Sequence, residues 1–437
     1  MLEPSYRPAV EEVAVRRVAR LLVVSTILVS GAIMAAGAGP AAAQAGASGQ
    51  GVTATTIRIG IPYIDLSAVR KFGITLDQGD YPEAYNAIIA DLNAHGGVDG
   101  RKLVPYLLPV SPVGTAPAAT ACTQLGGDDK VFVAIAPFEP SCFLQQGVPT
   151  IAGSYQSGPA SGVAPNFTLT PPQAAYDPVQ LRLFAHQGVF KGKKVGIFAG
   201  QATDQKELQV AQSTLGSLHV PVVQSAVDDA PPGDQAAINQ QANIIAQRFQ
   251  SSGVNEVVAV GEGSLIWPDA LQANQSTYHP PFVATNEGTI ETAVLAASIS
   301  PTYLRGVLTS SPVPSNYQIW HTPFVQQCDR VVRKAYPSDK ITPPTNPISG
   351  SDQTFYSVES ACINMALFTT IAKAAGKNLT VSTFERAGYG LRNVTIPGAA
   401  SSVSFGPGRS YPLGPVIVVT YDPAKNVLDF ANAPAAT

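Results

Sequence analysis

The chain has 437 residues, 45% of them hydrophobic and 8% aromatic, enough apolar surface to bury a core over most of the length and to exclude a largely disordered polypeptide. Length predicts two or three domains on a prior of roughly 100 to 200 residues each. Lys and Arg number 27 against 30 Asp and Glu, and with no basic run beyond Arg16-Arg17 and Lys193-Lys194 the chain lacks the clustered cations that displace counterions from a nucleic acid.

The first 45 residues read as an export signal: Arg16, Arg17 and Arg20 precede an apolar stretch over 21–36 and small residues ending Ala41-Ala42-Ala43-Gln44-Ala45. As a helix the apolar stretch reaches about 24 Å at ~1.5 Å per residue, short of a ~30 Å hydrocarbon core, so cleavage is expected rather than anchoring. The mature chain then begins near Gln44 or Gly46. Arg16-Arg17 also raises a twin-arginine signal, but Val18-Ala19-Arg20 matches one poorly. No Cys follows the apolar stretch to accept a lipid, so a periplasmic or extracellular product without a lipid anchor is expected.

Ile57, Ile59 and Ile61 alternate with Arg58 and Gly60 and predict a strand. After Pro82, Tyr85, Ile88, Ile89 and Leu92 fall on one helical face, which Gly96-Gly97 should end, with Asp99-Gly100 as a turn. A strand over 102–108, a short helix over 115–125 and strands over 130–136 and 150–152 complete a first block. After Pro171-Pro172 the order restarts. Strands over 194–199, 220–225, 256–260, 282–284 and 306–309 alternate with helices over 204–216, 238–249, 265–273 and 289–297. Beyond Pro312 and Pro314, helices over 318–336 and 353–375 flank a Pro-rich loop at 343–347, and strands over 403–405 and 416–421 finish the chain. This alternation predicts an α/β fold of two doubly wound parallel-sheet lobes, with ligand sites in the loops at the carboxyl ends of the strands.

The four cysteines, Cys122, Cys142, Cys328 and Cys362, allow three pairings. An even count in an exported chain favours disulfides, and proximity in sequence favours Cys122 with Cys142 and Cys328 with Cys362. Without a CxxC, thiol redox catalysis is not expected. The motifs GxxxxGK[ST], GxSxG and HExxH are absent, and Gly261-Glu262-Gly263-Ser264 lacks the third glycine of a dinucleotide loop. The five histidines are dispersed, so no metal set and no cofactor is expected.

Several phrases resemble the type I periplasmic binding proteins, in particular their branched-chain amino acid (LivJ-like) subfamily. They are Ile57-Arg58-Ile59-Gly60, the helix-to-turn phrase from Ile89-Ala90-Asp91-Leu92-Asn93-Ala94-His95-Gly96-Gly97 to Val98-Asp99-Gly100-Arg101-Lys102-Leu103, and Asp129-Lys130-Val131-Phe132-Val133-Ala134-Ile135. Gly147-Val148-Pro149-Thr150-Ile151, Lys193-Lys194-Val195-Gly196-Ile197 and Ala374-Ala375-Gly376 extend the likeness over most of residues 52–425. The resemblance implies two lobes joined by a three-crossover hinge, one formed by 51–170 plus 314–395 and the other by 171–313 plus 396–425. It further implies a non-enzymatic, monomeric receptor that closes over a small solute and presents it to the membrane permease of an ABC transporter. An exported ligand-sensing domain or a secreted hydrolase on a similar scaffold is the alternative.

In that subfamily hydroxyls and amides of the first lobe hold a ligand carboxylate, and an acid of the second lobe holds the ammonium. Ser141 and Ser154 stand as hydroxyl candidates or ordinary loop polars. Tyr155 occupies a position where Thr is common in the family, and together with the loop at Phe138 it places a simple aliphatic amino acid in doubt. An amino-acid-like, amide or aromatic solute fits equally. Glu287, after the strand at 282–284, is the foremost candidate acid. Glu262 also follows a strand, Asp204 serves either the site or a helix N-terminus, and Tyr63 and Phe138 are candidate walls. Trp267 reads as a packing residue.

Overall fold

The structure, a computed structural model, describes residues 49–70, 75–112, 116–152, 162–231, 233–295, 298–346, 348, 350–412 and 416–434. The export signal predicted over 1–45 and the candidates Ser154 and Tyr155 lie outside these residues.

Five strands build a first sheet: β1 (Thr56–Ile64), β2 (Lys102–Val110), β3 (Val133–Ile135), β4 (Thr150–Ala152) and β5 (Asn166–Thr168), ordered β2-β1-β3-β4-β5 with every pair parallel. Its connections carry helices α1 (Ser67–Arg70), α2 (Tyr81–Ala94), α3 (Ala116–Cys122), which runs on into a π-helical turn, and α4 (Pro140–Gln145). A second sheet takes β6 (Val195–Ala199), β7 (Val222–Val227), β8 (Glu256–Val260), β9 (Phe282–Ala284) and β10 (Val307–Ser311) in parallel. With them run α5 (Gln173–His186), α6 (Gln205–Ser217), α7 (Gln235–Ser251), α8 (Gly263–Ala273), α9 (Glu287–Leu295) and α10 (Pro301–Leu304). The chain then returns to the first lobe as α11 (Asn316–Trp320), α12 (Pro323–Ala335), α13 (Phe355–Ala375) and α14 (Val381–Gly390), and ends as β11 (Ile417–Asp422) and β12 (Val427–Pro434) on the second sheet. It therefore passes between the two sheets three times, after β5, β10 and α14.

Each sheet is buried on both faces, as parallel sheets require. In β8 the side chains alternate between two cores: Val257 and Ala259 join Trp267, Phe249 and Phe282, while Val258 and Val260 join Leu208, Leu215 and Phe184. In β1, Ile57, Ile59 and Ile61 face the core built on α2 and α13. Gly60 turns to the opposite face, where an added Cβ would stand 3.1 Å from Val131. The helix α13 supplies fifteen buried residues along 21, which places it inside the first lobe rather than on its surface. Trp267 is fully buried against Phe198 and Phe249, a packing residue as read.

The helix-to-turn phrase behaves as its glycines dictate. Gly97 sits at φ +63°, and a Cβ there would lie 2.0 Å from the Arg101 carbonyl oxygen, so only glycine lets Val98 and Arg101 pair back to back before β2.

Four expectations are corrected. The second sheet is not wholly parallel, because β11 and β12 join it as an antiparallel edge hairpin. The helix expected over 318–336 is two helices, since Pro323 starts a new one capped by Thr322, whose hydroxyl accepts from the Val325 N–H. No strand spans 403–405: Val403 makes one isolated bridge with Val394. Ile396, Val403 and Phe405 pack into the first lobe's core, so the chain joins the second lobe only beyond residue 405 and not at 396.

Both favoured disulfides are present. Cys122–Cys142 ties α3 to α4, and Cys328–Cys362 ties α12 to α13, with sequence separations of 20 and 34. Replacing Cys328 and Cys362 together by Ala is expected to lower unfolding stability by about 3–4 kcal/mol, the loop-entropy value for that separation, read as a fall in the urea midpoint with a steeper slope as the unfolded chain expands.

Candidate functional site

The carboxyl ends of β1, β3, β8 and β9 open on one cleft of about 470 Å³, the size of a small-molecule pocket. The first lobe contributes Pro62, Tyr63 and Ile64 at the carboxyl end of β1, Ala136, Pro137 and Phe138 after β3, Tyr81 and Tyr85 from α2, and Tyr356, Ser360 and Asn364 from α13. The second contributes Glu262 and Leu265 after β8 and Asn286, Gly288, Thr289 and Thr292 after β9.

Local chemistry positions each wall. Asp80 caps α2 by accepting from the Glu83 N–H, and Pro82 occupies the first turn, where its missing N–H costs nothing. Tyr81 and Tyr85 follow one turn apart on the face turned to the cleft and core. The Tyr81 ring stacks on Tyr63 at 6.4 Å and its hydroxyl donates to Gln78 Oε1. Residues 356, 360 and 364 recur every four along α13 and so share a face. There Asn364 Nδ2 donates to the Tyr85 hydroxyl and to Ser360 Oγ, each at 3.1 Å. After β3, Ala136 adopts φ +48°, a strained conformation for a residue with a Cβ, while its N–H donates to the Ile151 carbonyl.

The second lobe's loops are held from beneath. Gly261 has φ +56°, and a Cβ on it would overlap the Asp204 carboxylate at 2.5 Å. That carboxylate accepts from the Glu262 N–H at 3.0 Å and so aims the loop at the cleft. The Gly261 N–H donates to Thr285 Oγ1, and the Asn286 N–H donates to Ser264 Oγ. The Thr285 carbonyl accepts from both Gln173 and Gln180 of α5, and those amides also donate to Asp177 Oδ1.

Burial sets the electrostatics. Desolvation raises the Asp177 carboxyl from 3.8 to about 8 against the hydrogen bonds from Gln173 and Gln180. It raises Asp204 to about 6 against the bond from Glu262, with the charges of Glu262 and Glu207 adding to the rise. Glu262 is raised by burial, and Glu287 and Glu359 well above their ordinary range by burial and by Glu291. Tyr85 is pushed up to about 12 by burial.

Of the sequence candidates, the structure brings Tyr63, Phe138 and Glu262 together on the cleft. Glu287 falls between two lining residues, Asn286 and Gly288, with its Oε1 sealed from solvent and unpartnered. Asp204 lies one layer behind Glu262. It precedes α6, yet its side chain makes no cap bond there and supports the loop instead. Ser141 sits in the first turn of α4 and does not line the cleft. Tyr81, Tyr85, Tyr356, Ser360, Asn364 and Asn286 were not singled out in the sequence. Tyr85 falls on the apolar stripe of α2 and reads there as core, and Tyr81 precedes that stripe. Among the described residues no group of three or more His, Cys, Asp and Glu is placed to hold a metal ion.

No protein-family model and no curated protein matches the chain in sequence. In three dimensions it is similar to many solved structures. A periplasmic binding protein type 1 from Bordetella pertussis Tohama I superposes with a TM-score of 0.58 at 14% identity, covering 86% of this chain and 99% of that one. An ABC transporter substrate-binding protein from Desulfitobacterium hafniense, solved in complex with Leu, gives 0.55 at 14%, with 86% and 99% covered. An ABC transporter solute-binding protein from R. palustris, in complex with 4-hydroxybenzoate, gives 0.56 at 15%, with 85% and 95% covered. The chain has the type I periplasmic binding protein fold.

The Asp177 shift carries a sign. A carboxyl that titrates at about 8 when folded, against 3.8 ordinarily, holds a proton that the unfolded chain releases, so stability falls as pH rises from about 4 through about 8. Asp177→Asn keeps an acceptor for Gln173 and Gln180 and removes the titration. Its melting temperature is expected to drop less than that of the parent between about pH 5 and about pH 8.5, read by differential scanning calorimetry.

Proposed function

We propose that the mature chain is an extracytoplasmic solute-binding protein of the LivJ-like type, which captures a small amino-acid-like, amide or aromatic solute between its lobes and delivers it unchanged to an ABC transporter permease. The observation that carries this reading is the cleft at the strand ends of both sheets. One lobe contributes an aromatic wall and the other a polar one, with three chain crossings as the hinge. A solute that touches both walls is bound fully only when they approach, so binding shifts the population toward a closed form. The fold and the named ligands of its structural neighbours support a receptor rather than a catalyst. So do polar groups that are engaged in holding loops, as Asp204 and Thr285 are, or helices, as Asn364 is. Among the described residues no helix is long and apolar enough to cross a membrane.

Incubating the protein with solute mixtures, followed by mass spectrometry and small-angle scattering, is expected to return the bound solute chemically intact and to shrink the radius of gyration. Conversion of the solute, or an unchanged radius with every solute that binds, would refute the reading. Phe138→Ala removes an apolar wall and is expected to weaken binding by about 5- to 30-fold with little change in melting temperature, measured by calorimetric titration.

A further inference from the structure

The described lining of the cleft holds one carboxyl side chain, Glu262, and no Lys, Arg or His. Behind the lining, Glu359 of α13 is 2% exposed, and its Oε2 has no hydrogen-bond partner. It lies near enough to interact electrostatically with the Tyr81 hydroxyl on the cleft wall, and the charge of Glu291 of α9 raises its carboxyl further. Glu287 adds a second unpartnered buried oxygen beside lining residues of the other lobe. Burial favours the protonated form of both carboxyls, and a cation beside these unpartnered oxygens is what would let them ionise. Among the described lining residues no basic group stands ready to pair with an anionic solute.

The walls fit the same conclusion. Tyr63, Tyr81, Tyr85 and Tyr356 line the first-lobe side together with Phe138, and aromatic faces attract a cation through their quadrupole while they bury its apolar substituents. The Tyr81 hydroxyl proton is committed to Gln78, and both Asn364 amide bonds are made inside the wall. Two donors that could otherwise meet a ligand carboxylate are thus engaged within the wall.

We propose that the cleft takes an organic cation, a protonated amine or quaternary ammonium on a small apolar body, with the charge held between the tyrosine faces and the Glu262 carboxylate. This rests on the solute-binding reading and narrows it to one charge class.

The test uses the exported chain, unfolded and refolded to strip any bound solute, and four probes. Tyramine and choline are cations, tyrosine is a zwitterion, and 4-hydroxyphenylacetate is an anion. Calorimetric titration is expected to show at least one cation binding about tenfold or more tighter than tyrosine and 4-hydroxyphenylacetate, with closure in scattering. Glu262→Gln, whose backbone bond to Asp204 remains, is expected to weaken the cation about tenfold and leave the uncharged part of the affinity. Tyr63→Leu should weaken it as well, while Tyr63→Phe, which keeps the ring face, restores it. Equal or tighter binding of the acid or the zwitterion would overturn the charge assignment, and closure around either would leave the receptor reading standing. Failure of both cations to bind also overturns the assignment. In that case a metabolite extract that still closes the lobes spares the receptor reading, and one that does not removes it too.

Discussion

A parallel strand ends with main-chain groups that its neighbours cannot pair, and the cleft of this protein is built from the ways those groups are satisfied. In the second lobe the Glu262 N–H is met by Asp204 and the Gly261 N–H by Thr285, whose own carbonyl is held by two glutamines of α5. In the first lobe the Ala136 N–H reaches across to β4 at the expense of a left-handed backbone. Each solution fixes a short loop rigidly where sheet geometry would leave it loose. The result is a pair of walls whose loops are held by hydrogen bonds from within each lobe.

The same arrangement concentrates acid. Asp177, Asp204, Glu262, Glu287 and Glu359 all have carboxyls raised by burial, and among the described residues none has a Lys, Arg or His within salt-bridge distance. Structural use explains the first two, since both accept hydrogen bonds that hold loops or helices. It does not explain Glu359, which sits on the most buried helix of the molecule with an unpartnered oxygen. The cation site proposed above would give that residue a reason that packing does not.

Elements whose buried face is apolar were legible in the sequence. The alternating isoleucines of β1, the β-branched run of β8 and the stripe of α2 appear where the period places them. The helix α5 was missed because its buried face carries Asp177 and Gln180 beside Tyr176, Leu181 and Phe184, and Pro178 lies within it, so no apolar stripe announces it. Its polar face is also the one that pins Thr285. The same property that hid the helix therefore hid part of the site. The strand β5 was missed because three residues carry too little pattern, and the expected strand at 403–405 failed because Phe405 and Val403 are apolar for packing against the first lobe rather than for pairing.

For the cleft the division is similar. Tyr63, Phe138 and Glu262 could be named because each lies at or shortly beyond the end of a strand, and such positions are local in sequence. Tyr356, Ser360 and Asn364 come from a helix nearly three hundred residues downstream of β1, and no local signal separates them from core. What the amino-acid order determined by itself was the alternation of strand and helix, the glycine-dependent turn before β2 and the proximity of each cysteine to its partner, because these are set by short-range sterics and period. Only the tertiary structure decided which carboxyls lose their water, which loops share one cavity and where the chain leaves the first lobe, because burial and electrostatic field depend on groups that the chain brings together from far apart.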